Sequence, residues 1–521
     1  MTSIHDLLAE YAAIAPDKRT KGLLLERLTR TFLTTDPKWT ALFDKVWLWQ
    51  DWPGRDGKVD TGIDLVARER HTGEICAIQC KFYAPEHTMQ KSDLDSFFTA
   101  SGKHPFSSRI VVSTSAKWGK HAEEALNGQQ ITTSRIGVDD FDQSDIDWST
   151  YSFARPDEVA PPKVKTLRKH QAQAISDVQA GFIDHDRGKL IMACGTGKTF
   201  TSLRIAENIA GPGGKVLFLV PSIALLSQTL REWSQERTME LRAFAICSDT
   251  KVRKSNEDFT VSDLAYPATT STAQLLQEVP KAETPDGLTV FFSTYQSIDV
   301  VAKAQAEGLA EFDLVICDEA HRTAGFTLSG QDESSFLRVH SNEAIKTKRR
   351  LYMTATPKIY AESVRADAND KAAVLVSMDD QATYGPVFHR LGFGEAVERD
   401  LLADYRVLVL TIDENSISSA FQDEFAQNGE LNIPDAARIV GIYNGLAKRG
   451  VHGIDTTAPN AHQPLRRAVA FSRSIKDSKA VQRLLDGYDG VDGVRPDSLA
   501  GRRIDDTDRR TLWKHATLTG Q

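Results

Sequence analysis

Five consecutive residues have side chains and backbone freedom suited to binding the phosphates of a nucleotide: Gly195, Thr196, Gly197, Lys198 and Thr199. The two glycines leave room for backbone N–H groups to face phosphate oxygens. Lys198 can neutralise charge on the β- and γ-phosphates, and the Thr199 hydroxyl can ligate Mg²⁺. The segment therefore predicts ATP binding with Mg²⁺ as the accompanying ion.

A second motif, Asp318-Glu-Ala-His321, contains the carboxylates that ATP hydrolysis requires. Asp318 can hold Mg²⁺ through its water shell, and Glu319 can orient and deprotonate the attacking water. The alternative interpretation of such a tetrapeptide is an acidic loop after a core strand. Its occurrence together with the phosphate-binding residues favours hydrolysis.

The elements around both motifs are predicted to bring them together. The apolar residues 190–193 predict a strand, and residues 200–209 have the pattern of a helix, which gives the strand, loop and helix order of a phosphate site. Residues 314–317 predict another buried strand that ends at Asp318. In an open parallel sheet, both motifs would lie at the carboxyl edge, where ligands bind.

A separate group, Asp64, Gln79 and Lys81, suggests a different chemistry. Residues 61–67 and 74–81 predict two strands joined by a turn at His71-Thr-Gly73, and alternation places Gln79 and Lys81 on one face of the second strand. The pattern therefore predicts that the three side chains converge. Cleavage of a phosphodiester needs a metal and a cation near the phosphate, which such a group could supply. The alternative is an exposed hairpin with ordinary polar residues.

The segment Met192-Ala-Cys-Gly-Thr-Gly-Lys-Thr199 resembles motif I of superfamily 2 helicases, with Met192 in place of the first glycine of the general pattern. The resemblance implies RecA-like motor lobes in which Gln171 reads adenine, with Arg168 nearby. Further segments resemble superfamily 2 motifs in the expected order: Val220-Pro-Ser-Ile-Ala-Leu-Leu-Ser-Gln228, Ser293-Thr-Tyr-Gln296, Thr354-Ala-Thr-Pro357 and Ala470-Phe-Ser-Arg473.

The segments Gly62-Ile-Asp64 and Gln79-Cys-Lys81 resemble the Mrr-like branch of the PD-(D/E)xK nuclease fold, in which a glutamine replaces the second acid. The resemblance implies that Asp64 is the principal metal ligand and that the Gln79 carbonyl is an auxiliary one. It also implies that Lys81 contacts the scissile phosphate or positions the water. Glu26 resembles the acidic residue on the first helix of this fold. A helix at 94–100 and a strand at 109–114 would complete an αβββαβ order.

The whole chain resembles the N-terminal part of a type I or single-polypeptide type ISP restriction enzyme. We therefore expect an α/β protein with a small nuclease domain at 1–150, a linker at 151–165, and RecA-like lobes at 166–380 and 381–521. The resemblance implies an ATP-dependent translocase and Mg²⁺-dependent endonuclease that acts on double-stranded DNA. Methyltransferase and target-recognition domains, which follow in that family, are not visible in this chain.

The second lobe is expected to be incomplete, because the chain reaches Gln521 without motifs V and VI. Without the arginine of motif VI, ATP hydrolysis could fall by a factor on the order of 10³, while nucleotide binding should survive. Two alternatives follow. One is a superfamily 2 DNA or RNA motor whose N-terminal domain serves only for docking, and the other is an inactive remnant that binds nucleotide and DNA.

Composition sets wider limits on function. The 521 residues are 41% hydrophobic and 26% charged, which is ordinary for a globular protein of more than one domain. The net charge of −8 excludes wholesale coating of nucleic acid, so DNA contacts must come from local basic surfaces. Five scattered cysteines predict reduced core thiols, and no apolar run is long enough for a membrane span. These features predict a cytoplasmic protein.

Overall fold

A computed structural model describes residues 3–404, apart from 58–61, 127–128, 154–155, 157–158, 160–163, 248–263, 265, 283–285, 329–335 and 361–372. The segment expected to resemble motif IV, at 470–473, lies outside the described residues, as does most of the expected second lobe. The described residues form two sheets, one of five and one of eight strands, with helices packed against them. The expected α/β class is confirmed.

The N-terminal elements surround the five-stranded sheet, whose strand order is β1-β2-β3-β5-β7. Strands β1, β2 and β3 are antiparallel neighbours, whereas β3, β5 and β7 run parallel. The element bounds are α1 Ile4–Ile14, α2 Lys18–Thr35, α3 Pro37–Leu42, β1 Phe43–Leu48, β2 Leu65–Glu69, β3 Ile75–Lys81, β4 Thr88–Met89, α4 Asp95–Ser101, β5 Phe106–Ser113, β6 Lys117–Trp118, α5 Lys120–Leu126, β7 Thr132–Ile136 and α6 Val138–Asp142. The predicted hairpin is β2–β3, and Gly73 in its turn has φ +73°.

Alternation along β3 directs side chains into two separate cores. Cys76, Ile78 and Cys80 pack with α1, α2 and α3 on one face of the sheet, whereas Ala77 packs with α4 and α5 on the other. Gln79 follows the same alternation as Ala77. Gln79 and Cys80 therefore point to opposite faces of the sheet, as alternation along a strand requires.

The eight-stranded sheet has the order β11-β10-β12-β9-β13-β15-β8-β17, and all its neighbouring strands are parallel. Strands β14 and β16 pair with each other in an antiparallel arrangement and form a separate two-stranded sheet. The bounds are α7 Lys169–Asp184, β8 Arg187–Met192, α8 Lys198–Ala210, β9 Lys215–Val220, α9 Ile223–Glu236, β10 Leu241–Ile246, β11 Ala268–Thr269, α10 Thr272–Glu278, β12 Leu288–Thr294, α11 Ile298–Ala306, β13 Leu314–Cys317, β14 Gly325–Leu328, β15 Arg350–Thr354, β16 Ala373–Val376, α12 Gln381–Tyr384, β17 Val387–Leu391 and α13 Phe393–Glu398.

Apolar runs form the central strands of this sheet because helices cover both faces. In β9, Val216, Phe218 and Val220 enter the core shared with α7, α8 and α9, while Leu217 and Leu219 enter the core on the opposite face. The strand predicted at 314–317 is β13, and the predicted helix at 200–209 lies within α8. Strand β17 pairs with β8, so the sheet extends beyond the expected lobe boundary at residue 380.

Contacts between α3, α6 and α9 join the small domain to the eight-stranded sheet. Arg237, which follows α9, donates from Nη1 to the carbonyl oxygen of Pro37 at 3.0 Å, and Arg231 Nη1 donates to Gln143 Oε1 at 2.5 Å. Gln235 also donates to Asp145. These contacts connect α9 directly to the domain that contains β3.

The described part of the chain contains no helix that is long and apolar enough to cross a lipid bilayer. All five cysteines are free thiols, and four of them are buried. The exposed one, Cys194, lies in the loop between β8 and α8.

Candidate nucleotide and nuclease sites

The loop between β8 and α8 has the backbone shape of a phosphate cradle. Gly195 and Gly197 have φ values of +83° and +85°, the left-handed region that glycine adopts without strain. A Cβ atom at Gly197 would lie 2.4 Å from the Nε2 atom of Gln171, so a side chain could not fit there without displacing that amide. Helix α8 begins directly after Gly197, so its free N–H groups face the loop.

Thr196 is buried within this loop, and three hydrogen bonds hold it in place. Its hydroxyl donates to the Ala193 carbonyl oxygen at 2.7 Å, while its own carbonyl oxygen lies 2.9 Å from His170 Nε2 and 3.4 Å from Gln171 Nε2. Gln171 Oε1 in turn accepts the Arg168 backbone N–H at 2.9 Å. The N-terminus of α7 therefore braces the loop.

Gln171 and Arg168, the residues expected to read adenine, both take part in these contacts. Gln171 is 5% exposed, and both ends of its amide have protein partners. Arg168 is exposed and joins the network through its backbone. The contact from His170 was not anticipated, although its position in the first turn of α7 next to Gln171 could have suggested it.

Lys198 connects the loop to the second motif. Its Nζ atom donates to the Met192 carbonyl oxygen at 3.3 Å. Burial raises the pKa of Asp318 and the charge of Lys198 opposes that rise, while the His321 contact lowers the pKa of Glu319 and the charge of Lys198 adds to that lowering. The structure therefore brings the loop lysine and the two predicted carboxylates into one electrostatic environment. Thr199 lies half-buried in the first turn of α8.

Asp318 follows β13 and is 9% exposed. Burial, with the Glu319 charge beside it, raises the pKa of Asp318 to about 6. A buried carboxylate next to another carboxylate is stabilised by a bound cation, so Asp318 fits the expected Mg²⁺. Its backbone carbonyl oxygen accepts the Tyr295 hydroxyl at 2.8 Å, which links β13 to the end of β12.

Glu319 has the left-handed backbone conformation, with φ +49°, and its N–H donates to Asp318 Oδ1 at 2.9 Å. His321 Nδ1 lies 3.3 Å from Glu319 Oε2, and this contact holds the pKa of Glu319 below its usual value. The same nitrogen lies 3.1 Å from the Thr354 hydroxyl at the end of β15. A carboxylate held in its charged form can accept a proton from water.

Two of the segments that resemble superfamily 2 motifs, 220–228 and 293–296, also meet. Gln296 Nε2 donates to the Pro221 carbonyl oxygen at 3.3 Å, which joins the end of β12 to the end of β9. Ser222 caps α9 by accepting the Leu225 N–H at 3.3 Å. Both segments lie at the same edge of the sheet as Asp318, because the strands are parallel.

In the small domain, Asp64 lies just before β2 and is tied to β3. Its Oδ2 atom accepts the Cys80 N–H at 2.6 Å, and its own N–H donates to the Ile78 carbonyl oxygen at 2.9 Å. These bonds fix the carboxylate beside the end of β3, between the residues predicted to act with it. The orientation is set by these two hydrogen bonds to the backbone of β3.

Gln79 is 2% exposed and points its amide toward the start of the hairpin. Its Nε2 atom donates to the Gly62 carbonyl oxygen at 2.9 Å, which fixes the amide orientation. Its Oε1 atom is buried and has no hydrogen-bond partner within the described structure. A buried carbonyl oxygen without a partner is costly, and a metal ion bound there would satisfy it. Gln79 therefore fits the expected role of an auxiliary Mg²⁺ ligand.

The pKa of the Cys80 thiol depends on the charged residues near the end of the hairpin. Burial raises the pKa of its thiol well above the usual value, the charges of Asp64 and Glu26 raise it further, and Lys81 opposes them. Lys81 is the last residue of β3 and is half-buried. Asp64 and Lys81 lie at the end of β3, and Glu26 lies on α2, whose Thr29 hydroxyl is 3.5 Å from the Cys80 sulfur.

Among the described residues, no three His, Cys, Asp or Glu side chains form a group that could hold a metal. The candidate nuclease site instead combines carboxylate with an amide oxygen. Mg²⁺ accepts such a set because it commonly keeps several waters and binds through one or two carboxylates together with substrate phosphates.

Comparisons with known proteins match two separate parts of the chain. Residues 34–158 match the family described as restriction endonuclease, and residues 164–359 match the family described as type III restriction enzyme, res subunit. A structure of the ATP-dependent type ISP restriction-modification enzyme LlaBIII bound to DNA is 41% identical, with a TM-score of 0.79. The match covers 93% of this chain and 31% of that one.

Two further similarities cover less of the chain. A nuclease-deletion mutant of the type ISP enzyme LlaGI, in complex with a DNA substrate mimic, is 40% identical over 62% of this chain and 22% of its own, with a TM-score of 0.43. A probable helicase of African swine fever virus is 28% identical over 42% of this chain and 21% of its own length. This chain thus spans less than a third of each of these proteins.

Proposed function

Since the chain joins a restriction endonuclease domain at 34–158 to a domain of the type III restriction enzyme res-subunit family at 164–359, we propose that it is an ATP-dependent DNA translocase that also cleaves DNA. Its substrate is double-stranded DNA, and it serves a restriction-modification system. The single observation that carries the motor half is geometric: the loop with positive φ at Gly195 and Gly197 leads into α8 at Lys198, at the same edge of the parallel sheet as Asp318.

In the motor, the loop at Gly195, Thr196 and Gly197 binds the phosphates of ATP, and Lys198 neutralises their charge. Thr199 and Asp318 hold Mg²⁺, which screens the phosphate charge when bound. Glu319 accepts a proton from the attacking water, supported by the contact that keeps it ionised.

Adenine recognition in this proposal falls to the N-terminus of α7. Gln171 and Arg168 flank the loop on the side of Thr196. Because the amide of Gln171 is already bonded, we propose that the rigid α7 terminus positions the base and that Gln171 contributes through an additional contact.

In the nuclease, Asp64 and Gln79 hold Mg²⁺, which activates water and stabilises the leaving oxygen when bound. Lys81 contacts the scissile phosphate from the end of β3. The unpartnered Gln79 Oε1 atom supports this half of the proposal, because it is a buried acceptor on the residue next to Cys80, whose N–H donates to Asp64.

The contacts between α9 and the small domain support a functional link between the two halves. Arg231 and Arg237 belong to the motor and bond to residues of the nuclease domain. Partner methyltransferase and target-recognition domains, supplied in the same or in another chain, and a cytoplasmic location are also part of this proposal.

ATP hydrolysis by the full chain, measured with and without duplex DNA, tests the motor half. We expect Glu319→Gln to bind ATP as the wild type does but to hydrolyse it about 10²-fold more slowly or worse, because general-base catalysis contributes on that order. The control is Glu307→Gln, an exposed position after α11. Equal hydrolysis by the wild type and Glu319→Gln would exclude the assigned base.

A further inference from the structure

Helix α9 contacts the phosphate-binding helix α8 at Thr199, the residue proposed to ligate Mg²⁺. Trp233 in α9 donates from Nε1 to the Thr199 carbonyl oxygen at 3.1 Å, and the same oxygen accepts the Ser202 hydroxyl at 2.7 Å from within α8. Trp233 is completely buried, and its ring centre lies 5.1 Å from that of Phe218 and 5.5 Å from that of Phe292. The packed indole therefore fixes the backbone of Thr199.

A second contact joins the same two helices near the end of α9. Arg204 in α8 donates from Nη2 to the carbonyl oxygen of Glu236, the last residue of α9, at 2.7 Å. Its Nη1 donates to Glu207 Oε2 at 2.6 Å, and Glu207 Oε1 accepts the Thr238 N–H at 2.7 Å. These charge-assisted bonds satisfy backbone groups that a helix end leaves unpaired. Because α8 and α9 are attached at two points, a displacement of one displaces the other.

The other side of α9 faces the small domain. Arg231 and Gln235 are four residues apart and share a face of the helix, about half a turn around its axis from Trp233. Arg231 donates to Gln143, and Gln235 donates to Asp145, both in the segment after α6. One helix thus contacts the ATP site through one side and the nuclease domain through the other.

The contact of Arg237 extends this connection to the nuclease site. Its Nη1 donates to the carbonyl oxygen of Pro37, the first residue of α3, at 3.0 Å. Strand β1 begins directly after α3 and pairs with β2. Trp49, the residue after β1, donates its N–H to the Asp64 carbonyl oxygen at 2.8 Å. Packed elements and hydrogen bonds therefore connect Thr199 to Asp64.

We propose that Trp233 is a positioning residue for Thr199 and that α9 couples the ATP site to the nuclease site. When ATP binds, the start of α8 moves and α9 moves with it, and α3 and β1 transmit the displacement to the backbone of Asp64. Close packing makes this transmission possible, because a packed interior is displaced rather than compressed. The proposal rests on the proposed functions of Thr199 and Asp64. It assigns the control of cleavage to Trp233 and Arg237, which neither sequence pattern included.

The test measures ATP stimulation of plasmid cleavage by the full chain, which is the ratio of the cleavage rates with and without ATP. Arg231→Ala/Arg237→Ala removes contacts with the small domain and leaves the ATP site intact. We expect this variant to hydrolyse ATP and to cut DNA without ATP at the wild-type rates. Its ATP stimulation should fall about fivefold or more, because coupling between two sites is typically of that order. The control Lys303→Ala/Lys346→Ala removes two positive charges from exposed positions of the motor and should keep full stimulation.

Trp233→Phe tests the inner side of α9, because it keeps an aromatic ring in the core but removes the Nε1 donor. It should lower ATP stimulation by a similar factor and should also lower the kcat of ATP hydrolysis, since Thr199 loses the bond that positions it. Combined with Arg231→Ala/Arg237→Ala, it should reduce stimulation no further, because both changes interrupt one connection. Two independent defects would multiply, and that result would overturn the coupling.

Amide hydrogen exchange gives a readout that does not depend on cleavage. A non-hydrolysable ATP analogue should slow exchange in α3 and β1 of the wild type, and it should not do so in Trp233→Phe or in Arg231→Ala/Arg237→Ala. Equal protection of α3 and β1 in the wild type and both variants would overturn the proposal.

Asp64→Asn separates failure of the coupling from failure of the proposed function. If Asp64→Asn abolishes cleavage while Arg231→Ala/Arg237→Ala keeps the stimulation of the control, only the coupling is wrong. If Asp64→Asn still cleaves DNA, the nuclease assignment fails and the coupling to that site fails with it.

Discussion

His321 Nδ1 lies 3.1 Å from the Thr354 hydroxyl and 3.3 Å from Glu319 Oε2, so one imidazole contacts both the proposed base and the end of β15. Strands β13 and β15 are parallel neighbours, which explains why these residues meet at one edge. Any movement of the segment that begins at Thr354 will therefore disturb His321 and, through it, the contact with Glu319. This contact gives a physical route from the nucleotide site to the adjoining strand end.

We expect His321→Ala to lower the kcat of ATP hydrolysis about 10-fold to 100-fold, because a hydrogen bond to a charged group is worth about 1.5–3 kcal/mol. The affinity for ATP should stay within about twofold, since the imidazole contacts Glu319 and Thr354, which act in hydrolysis and at the strand end of the proposed site. Titration with a fluorescent ATP analogue and steady-state ATPase assays separate the two quantities. An equal loss in His185→Ala, an exposed site at the end of α7, would show that the effect is not specific.

Gly197→Ala should abolish measurable ATP binding at concentrations that saturate the wild type. An added Cβ would meet Gln171 Nε2 at 2.4 Å and would strain a residue with φ +85°. Gly211→Ala is a matched control, because Gly211 has φ +65° but open space around the added atom. It should cost only about 1 kcal/mol of stability. Similar ATP affinities for both variants would contradict the role of the loop.

Gln79→Leu should eliminate Mg²⁺-dependent cleavage while leaving the domain folded, because it removes the amide oxygen but conserves much of the volume. Gln79→Glu should retain cleavage, since a carboxylate oxygen can replace the amide oxygen as a ligand. Calorimetric titration with Mn²⁺ gives a second readout, in which Gln79→Leu binds more weakly than Gln50→Leu, an exposed control. Wild-type cleavage by Gln79→Leu would remove Gln79 from the site.

The pH dependence of stability should contain a contribution from His340. Burial lowers the pKa of His340 to about 4, from 6.5 in the unfolded chain. Between these values the unfolded state binds a proton that the folded state does not, so the free energy of unfolding falls as pH falls from 6.5 toward about 4. Across this pH range, the contribution of His340 lowers the free energy of unfolding by about 3 kcal/mol.

His340→Gln removes this titration and can still contact Tyr352, whose hydroxyl lies 2.9 Å from His340 Nδ1. Its free energy of unfolding should therefore vary less with pH across that window than the wild type's does. Urea unfolding at a series of pH values measures this, with the exposed His5→Gln as control. Parallel curves for the wild type and His340→Gln would refute the assignment.

Local patterns were sufficient to predict the elements that position both sites. The strand before Asp318 is apolar throughout because both faces of its sheet are covered, and the β2–β3 turn contains a glycine with positive φ. These features depend on neighbouring residues, so a sequence pattern reveals them.

Contacts between distant segments could not be predicted in the same way. The pairing of β17 with β8, the bond from His321 to Thr354 and the unpartnered oxygen of Gln79 depend on how separate elements pack. No periodicity encodes such geometry. The expected boundary at residue 380 illustrates the difference, because β17 joins a strand almost 200 positions earlier in the chain.

The central claim, that one chain cuts DNA at the β2–β3 hairpin under control of its ATP site, is tested most directly by plasmid cleavage in Mg²⁺. The wild type, Lys81→Ala and Lys198→Ala are compared with and without ATP. We predict ATP-stimulated cutting by the wild type, no cutting by Lys81→Ala, and loss of the ATP-stimulated part in Lys198→Ala. Cutting that survives Lys81→Ala, or a wild-type chain that binds ATP but cuts no plasmid under any of these conditions, would contradict it.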